Sequence, residues 1–114
     1  MNRKFITALG ALVVLATSTA ASSDCDDGKD RRVRITNDTS YSLVQLYGSN
    51  VGADDWEEDV LGSRVLKPGQ SVTVNFDDGS CYCHFDFKAV FSDGTSTIKR
   101  RYDVCNGTGW RIHE

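Results

Sequence analysis

The sequence predicts an all-β domain: a small antiparallel β-sandwich of six or seven short strands, with disulfides and one long loop or short helix. Two observations support this prediction. Short segments with alternating polar and apolar residues recur along the chain, separated by turns rich in glycine, asparagine and aspartate. The chain also has four cysteines and a single proline, which suits short strands that are joined by tight turns and crosslinked by disulfides.

The first 21 residues have the layout of a secretory signal peptide. Arg3 and Lys4 form a charged start, residues 5–16 are almost entirely apolar, and residues 18–21 are small. This layout predicts export to the periplasm or the medium, where thiols can oxidise.

Cleavage near Ala20 or Ala21 would divide the chain into three parts. Residues 1–21 are the predicted signal peptide, residues 22–30 an acidic leader, and residues 31–114 the β-sandwich domain. The exported part has the length of one domain. Its hydrophobic core is small, so crosslinks contribute a large share of its stability.

Charge and hydropathy exclude several classes of partner. The chain carries 13 basic and 16 acidic residues, and removal of the signal peptide would take away Arg3 and Lys4. A net negative charge argues against binding to nucleic acid or to anionic lipid. The apolar run is too short to span a membrane, and Asp24 before Cys25 is unlike the small residue that precedes a lipidated cysteine. We therefore expect a soluble monomer without a membrane span.

Six strands follow in chain order. They are predicted over residues 32–36, 41–47, 71–76, 81–91, 97–105 and 110–112. The strongest signal is at 81–91, where apolar residues and cysteines alternate with mostly polar residues. A two-residue turn at Asp93-Gly94 would place Phe85 opposite Tyr102 and Ala89 opposite Ile98.

The connection over residues 48–62 is long and acidic. It contains two glycines and Trp56, and it could form one or two helical turns capped by Asp54 or Asp55. Long connections in small domains often carry function.

The four cysteines allow three pairings. Cys81 and Cys83 lie two apart on a predicted strand and are too far apart to bond to each other. Cys83 faces the end of the returning strand, and a bulge near Asp103 would bring Cys105 opposite it. We therefore predict the disulfides Cys83–Cys105 and Cys25–Cys81.

Short motifs between residues 37 and 105 suggest a family resemblance. They are Asn37-Asp38-Thr39, Leu46-Tyr47-Gly48-Ser49, Trp56, Leu61-Gly62, Leu66-Lys67-Pro68-Gly69, Cys83-His84-Phe85-Asp86, Phe91-Ser92-Asp93-Gly94 and Asp103-Val104-Cys105. This pattern resembles that of small exported bacterial β-sandwich proteins of uncharacterised function. The resemblance implies a β-sandwich and an exported location but no activity. Cys25 and Cys81 depart from the pattern.

Trp56 has two interpretations. It could cover the core together with Leu61, or it could contact a partner, since tryptophan contributes much of the binding energy at interfaces. The acidic residues beside it would then belong to the same contact surface. The candidate partner contacts are Trp56, Asp54, Asp55, Glu57 and Glu58.

Two metal sites are conceivable, but neither is favoured. Residues 81–84 (Cys-Tyr-Cys-His) could bind a soft metal, although an even number of cysteines in an exported chain favours disulfides. The acidic groups at 24–30 and 54–59 could bind calcium, although solvated carboxylates are far more common. We predict no metal and no cofactor.

No set of residues indicates catalysis. His84 and His113 lack a plausible nucleophile, and no Gly-x-Ser-x-Gly pattern occurs. Asp86, with Lys88 and Arg101 nearby, is expected to form a cross-strand ion pair. We therefore predict a secreted or periplasmic non-enzymatic module that binds an unknown protein or envelope component. The alternative is an inhibitor of a hydrolase, and a small metal-binding protein or enzyme is less favoured.

Overall fold

The computed structural model describes residues 25–114, so the predicted signal peptide, its cleavage site and the start of the leader lie outside the described residues. Six strands make up the domain. They are β1 (Arg32–Asp38), β2 (Leu43–Asn50), β3 (Ser71–Asn75), β4 (His84–Phe91), β5 (Ser96–Asp103) and β6 (Trp110–His113). Residues 25–114 contain no helix. The all-β prediction is confirmed.

The strands form two three-stranded sheets, ordered β3-β1-β6 and β2-β4-β5. Pairs β1–β3, β2–β4 and β4–β5 are antiparallel, as predicted. The β1–β6 pair is parallel, with Ile35 opposite Trp110. Three of the four strand pairs among the described residues thus have the predicted antiparallel arrangement, and the fourth departs from it because the last strand runs beside β1 in the same direction instead of forming a hairpin.

The core lies between the two sheets and follows the alternation in the sequence. Along β4, every second residue from Phe85 to Phe91 is buried. The ring of Phe87 connects the layers, with its centroid 4.8 Å from that of Phe76 and 5.6 Å from that of Trp110. Aromatic rings at these separations attract one another in addition to the gain from removing their surface from water. The remaining large core residues are Val33, Ile35, Leu43, Leu46, Leu61, Leu66, Val104 and Ile112.

The β4–β5 hairpin has the predicted register at one end only. Phe85 lies opposite Tyr102 as predicted, but Ala89 lies opposite Thr97. The turn is one residue longer than predicted, with Gly94 in the left-handed conformation at φ 87°, and this length shifts the pairing by one residue.

A bulge restores the register farther along the hairpin. Asp86 faces both Arg100 and Arg101, and Arg101 has a φ of 52°. The bulge predicted near Asp103 thus lies two or three residues earlier on the same strand.

Both disulfides join the cysteines that the sequence analysis paired: Cys25 with Cys81, and Cys83 with Cys105. Cys81 and Cys83 lie in the irregular segment before β4, so the strand prediction for residues 81–83 is wrong. Cys81 has a φ of 64°, which is incompatible with a continuous strand.

The leader joins the domain through Arg31, whose side chain is almost fully buried. Its Nε donates to the carbonyl of Tyr82 at 2.9 Å, and Nη2 donates to the carbonyl of Cys81 at 3.1 Å. The backbone N–H of Cys25 donates to the carboxylate of Asp77. Residues 25–31 are therefore fastened to the segment before β4 by a disulfide and by polar contacts.

Candidate binding surface

The connection between β2 and β3 is an ordered loop. It is tied to β2 on both sides of Trp56: the Ser49 hydroxyl donates to the carbonyl of Asp55 at 2.7 Å, and the N–H of Val60 donates to the carbonyl of Leu46 at 2.8 Å. Asp59 accepts hydrogen bonds from the backbone N–H groups of Leu46 and Leu61. A short polar side chain that bonds to backbone in this way competes with helix formation. Of the two predicted forms, a long loop or a short helix, the loop is the one present.

Trp56 lies outside the core. It is half-buried, and it is neither a core residue nor one of the partly buried residues packed against the core. Leu61 is a core residue, so the interpretation in which Trp56 and Leu61 cover the core together does not describe the structure. Instead, the Arg100 guanidinium carbon lies 5.9 Å from the Trp56 ring centroid, at the limit of a cation–π contact.

A pocket of about 160 Å³ opens beside this ring. We call its polar and aromatic rim the Trp56 surface, made up of Asp54, Asp55, Trp56, Asp86 and Arg100. The loop supplies the first three residues and the outer face of the β4–β5 hairpin supplies the other two. The rim thus combines an aromatic ring with groups of both charges.

Arg100 is held in place by Asp86. Its Nη1 donates to one carboxylate oxygen at 3.1 Å, and the other oxygen accepts the backbone N–H of Arg101 at 2.9 Å. The predicted cross-strand ion pair at Asp86 is therefore present, but its partner is Arg100 and not Lys88 or Arg101. The bulge opposite Asp86 presents the Arg101 backbone and directs the Arg100 side chain to the carboxylate.

The predicted contact residues do not all belong to one surface. Glu57 has a φ of 63°, which reverses the chain after Trp56. Glu57 and Glu58 line a different pocket, of about 440 Å³, together with Asp77 and Asp78. Asp54, Asp55 and Trp56 remain together on the Trp56 surface.

Sequence reasoning missed Arg100 and the two β2 residues at the pocket, Ser49 and Asn50. Arg100 would have been found if the hairpin register had been counted with a three-residue turn and a bulge opposite Asp86. Ser49 and Asn50 carry no signal in the sequence, because their role depends on how the loop folds back on β2.

The conceivable metal sites lack the ligands they would need. All four cysteines are in disulfides, so residues 25–114 have no free thiolate for a soft metal. Around the loop, no three carboxylates among the described residues bring their oxygens together, as calcium binding would require. In the leader, Asp27 and Asp30 bind Arg31 and Arg32, and Asp24 lies outside the described residues.

Arginine lowers the pKa of two leader carboxylates, Asp27 and Asp30. Hydrogen bonds from the Arg31 side chain hold the pKa of Asp27 far below its usual value, and those from Arg32 lower the pKa of Asp30 to about 2. Both groups are therefore ionised at neutral pH. They act as counter-ions to the arginines.

Comparison with protein-family models, with curated proteins and with solved structures gives no match for this chain. In the part of the chain that the structure describes, no helix is long and apolar enough to cross a membrane.

Proposed function

We propose that the protein is a secreted or periplasmic non-enzymatic module, and that the Trp56 surface is where it binds a protein or an envelope component. The N-terminal signal-peptide pattern supports export. Two disulfides support an oxidising compartment, because such bonds are rarely stable in a reducing cytosol.

The position of Trp56 is the observation that carries the proposal. Tryptophan is costly to leave in contact with water, and a small domain normally uses it in the core. Here Trp110 packs against the core, whereas Trp56 borders an open pocket beside the exposed Arg100. Tryptophan and arginine are the residues most enriched at the energetic centres of protein interfaces.

The loop that presents Trp56 is fixed before any partner arrives. Hydrogen bonds to Ser49 and Leu46 hold it on both sides of Trp56, so little conformational entropy would be lost on binding. This preorganisation is also what a protein inhibitor needs, and an inhibitor of a hydrolase is therefore the second candidate function.

A pull-down with the exported protein tests the proposal. Wild type, Trp56→Ala and Arg111→Ala would be immobilised and exposed to the envelope fraction and culture medium of the source cells. We expect a specific protein or envelope component that wild type and Arg111→Ala retain equally and that Trp56→Ala loses by about tenfold or more. Arg111 is an exposed residue on β6 that serves as the control.

The outcomes separate the candidates. Equal retention by all three proteins, or no specific retention, would contradict a role for the Trp56 surface. If the retained protein is a hydrolase whose activity falls when the wild type binds, the inhibitor hypothesis replaces that of a general binding module. Hydrolytic activity of the purified protein itself would contradict both.

A further inference from the structure

Strand β3 is an open edge of the first sheet. Its only strand partner among the described residues is β1. The N–H of Asn37 donates to the Gln70 carbonyl, and the N–H of Phe76 donates to the Arg31 carbonyl. The backbone N–H and C=O groups of the even-numbered residues from 70 to 76 therefore point toward β1. By the alternation of an antiparallel ladder, the backbone groups of Ser71, Thr73 and Asn75 point to the open side.

Two pockets lie along this edge, and we call them together the groove. One pocket, of about 320 Å³, is lined by Ser71 and Val72 together with residues from 61 to 66, and the second, of about 440 Å³, by Asn75 and Phe76 together with residues from 57 to 60. Both pockets are thus lined by the β3 segment and by the loop between β2 and β3, one near the start of β3 and the other near its end. The inward-facing side chains of β3 are only half-buried, so the core is open on this side.

The groove has opposite electrostatic character at its two ends. Arg64 lies at the end near Ser71. Glu57, Glu58, Asp77 and Asp78 surround the other end, and none of them forms an ion pair within residues 25–114. An occupant with basic residues at the Asn75 end would be complementary to this charge distribution.

Strand β5, an edge strand of the second sheet, is protected in a way that β3 is not. Strand β5 carries Lys99, Arg100 and Arg101 and a bulge, which are features that prevent edge strands from pairing with other chains. Strand β3, with the sequence Ser-Val-Thr-Val-Asn, has no charge, no proline and no bulge.

We propose that the β3 edge binds an extended peptide segment of a partner protein as a fourth strand of the first sheet. The segment runs antiparallel to β3, because antiparallel pairing is the more stable arrangement per residue. Its N-terminal end carries lysine or arginine and lies among the four carboxylates, while its apolar side chains fill the two pockets beside Val72 and Phe76. This mode of recognition takes affinity from main-chain hydrogen bonds and specificity from the pockets.

Synthetic peptides test the proposal directly. The probe is a fluorescent peptide of about eight residues that alternates threonine and valine after two N-terminal lysines. A matched probe begins with two glutamates. We expect the lysine peptide to bind at least about tenfold more tightly by fluorescence anisotropy. We also expect slower hydrogen exchange at the backbone N–H groups of Ser71, Thr73 and Asn75 when it is bound.

Two pairs of variants separate the backbone and charge contributions. Thr73→Pro removes the backbone N–H that points away from β1 and should weaken peptide binding about tenfold. Thr73→Val keeps this N–H and should bind the peptide as the wild type does. Glu57→Gln with Glu58→Gln should reduce the preference for the lysine peptide. Asp54→Asn with Asp55→Asn removes the same charge from the same loop outside the groove, and should leave the preference unchanged.

Three results would overturn the proposal: equal binding of both peptides, binding without protection of the Thr73 N–H, or binding that is insensitive to the Glu57 and Glu58 substitutions. A dimer seen by sedimentation that Thr73→Pro dissociates would instead assign the edge to a second copy of this chain. Trp56→Ala should not affect peptide binding, so this test is independent of the proposed role of the Trp56 surface.

Discussion

Arg31 donates two parallel hydrogen bonds to the carboxylate of Asp27, from Nη1 to Oδ1 at 2.9 Å and from Nη2 to Oδ2 at 2.7 Å. The side chain of Arg31 is 1% exposed and that of Asp27 is 30% exposed. Asp27 thus supplies the charge that a buried guanidinium needs once it has left water. The leader is therefore a structural part of the domain.

Replacing Arg31 should destabilise the protein strongly. Arg31→Ala removes one partner of a buried pair, leaves the carbonyls of Cys81 and Tyr82 without their donor, and should lower the free energy of unfolding by about 3 kcal/mol. Arg32→Ala is the matched control, because the Arg32–Asp30 pair is exposed to solvent, and it should change the free energy of unfolding far less than Arg31→Ala. Urea unfolding measures both, and equal losses would contradict a structural role for Arg31.

The same ion pair should make stability depend on acidic pH. The Arg31 hydrogen bonds lower the pKa of Asp27 below its ordinary 3.8, so the unfolded chain takes up a proton on this group before the folded protein does. The contribution of the Asp27 carboxylate to the free energy of unfolding is complete above about pH 4. It is lost as the pH falls toward the pKa of Asp27 in the folded protein.

Melting temperatures of wild type and Asp27→Asn check this dependence. We expect the two values to differ at pH 6 and to converge as the pH is lowered below about 4. Asp26 is an exposed neighbour of Asp27, and Asp26→Asn should have the melting temperature of the wild type at every pH. A difference between wild type and Asp27→Asn that does not change with pH would contradict the assignment.

Gly48 should not tolerate a side chain. A Cβ at this position would overlap the ring of Phe76, which is buried in the core and contacts Phe87. Gly48→Ala should therefore cost about 1–3 kcal/mol of unfolding free energy. In Gly52→Ala the new Cβ would meet the end of Tyr82, an exposed side chain that can move away. A cost for Gly52→Ala as large as that for Gly48→Ala would contradict this reasoning.

The two tryptophans should differ in their effect on stability. Trp110 stacks on Phe87 and packs against the core, so Trp110→Ala should cost about 3 kcal/mol. Trp56 lies outside the core, and Trp56→Ala should cost less than about 1 kcal/mol. Chemical unfolding of both variants measures the difference. A large loss for Trp56→Ala would mean that its ring stabilises the fold.

The sequence was sufficient to predict the strands and the pairing of the cysteines. Alternation in β1 and β4 reflects burial of one face against the core, which is a local pattern in the chain. Cys81 and Cys83 were placed on a strand because the alternation continues through them. The left-handed conformation of Cys81 prevents the strand from extending through it, at the residue whose disulfide holds the leader.

Long-range pairing was not predictable from local patterns. The parallel pairing of β6 with β1, the burial of Arg31 and the contact of Arg100 with Trp56 each join segments far apart in the sequence. Arg31 has the same parity as the buried Val33 and Ile35, whereas Arg32 lies on the exposed face, but alternation alone does not predict that a charged side chain is buried. The partner that makes burial possible, Asp27, lies in a segment whose composition suggests only a solvated leader.

The parallel pairing of β6 with β1 has a consequence for biosynthesis. Strand β1 is among the first segments of the domain to be made, yet the strand that covers its second edge comes last, beginning at Trp110. Until Trp110 is present, Ile35 has its partner on β3 but not the one on β6. The first sheet therefore cannot be completed until residues 110–113 are available, and a chain shortened before Trp110 would leave the second edge of β1 unpaired.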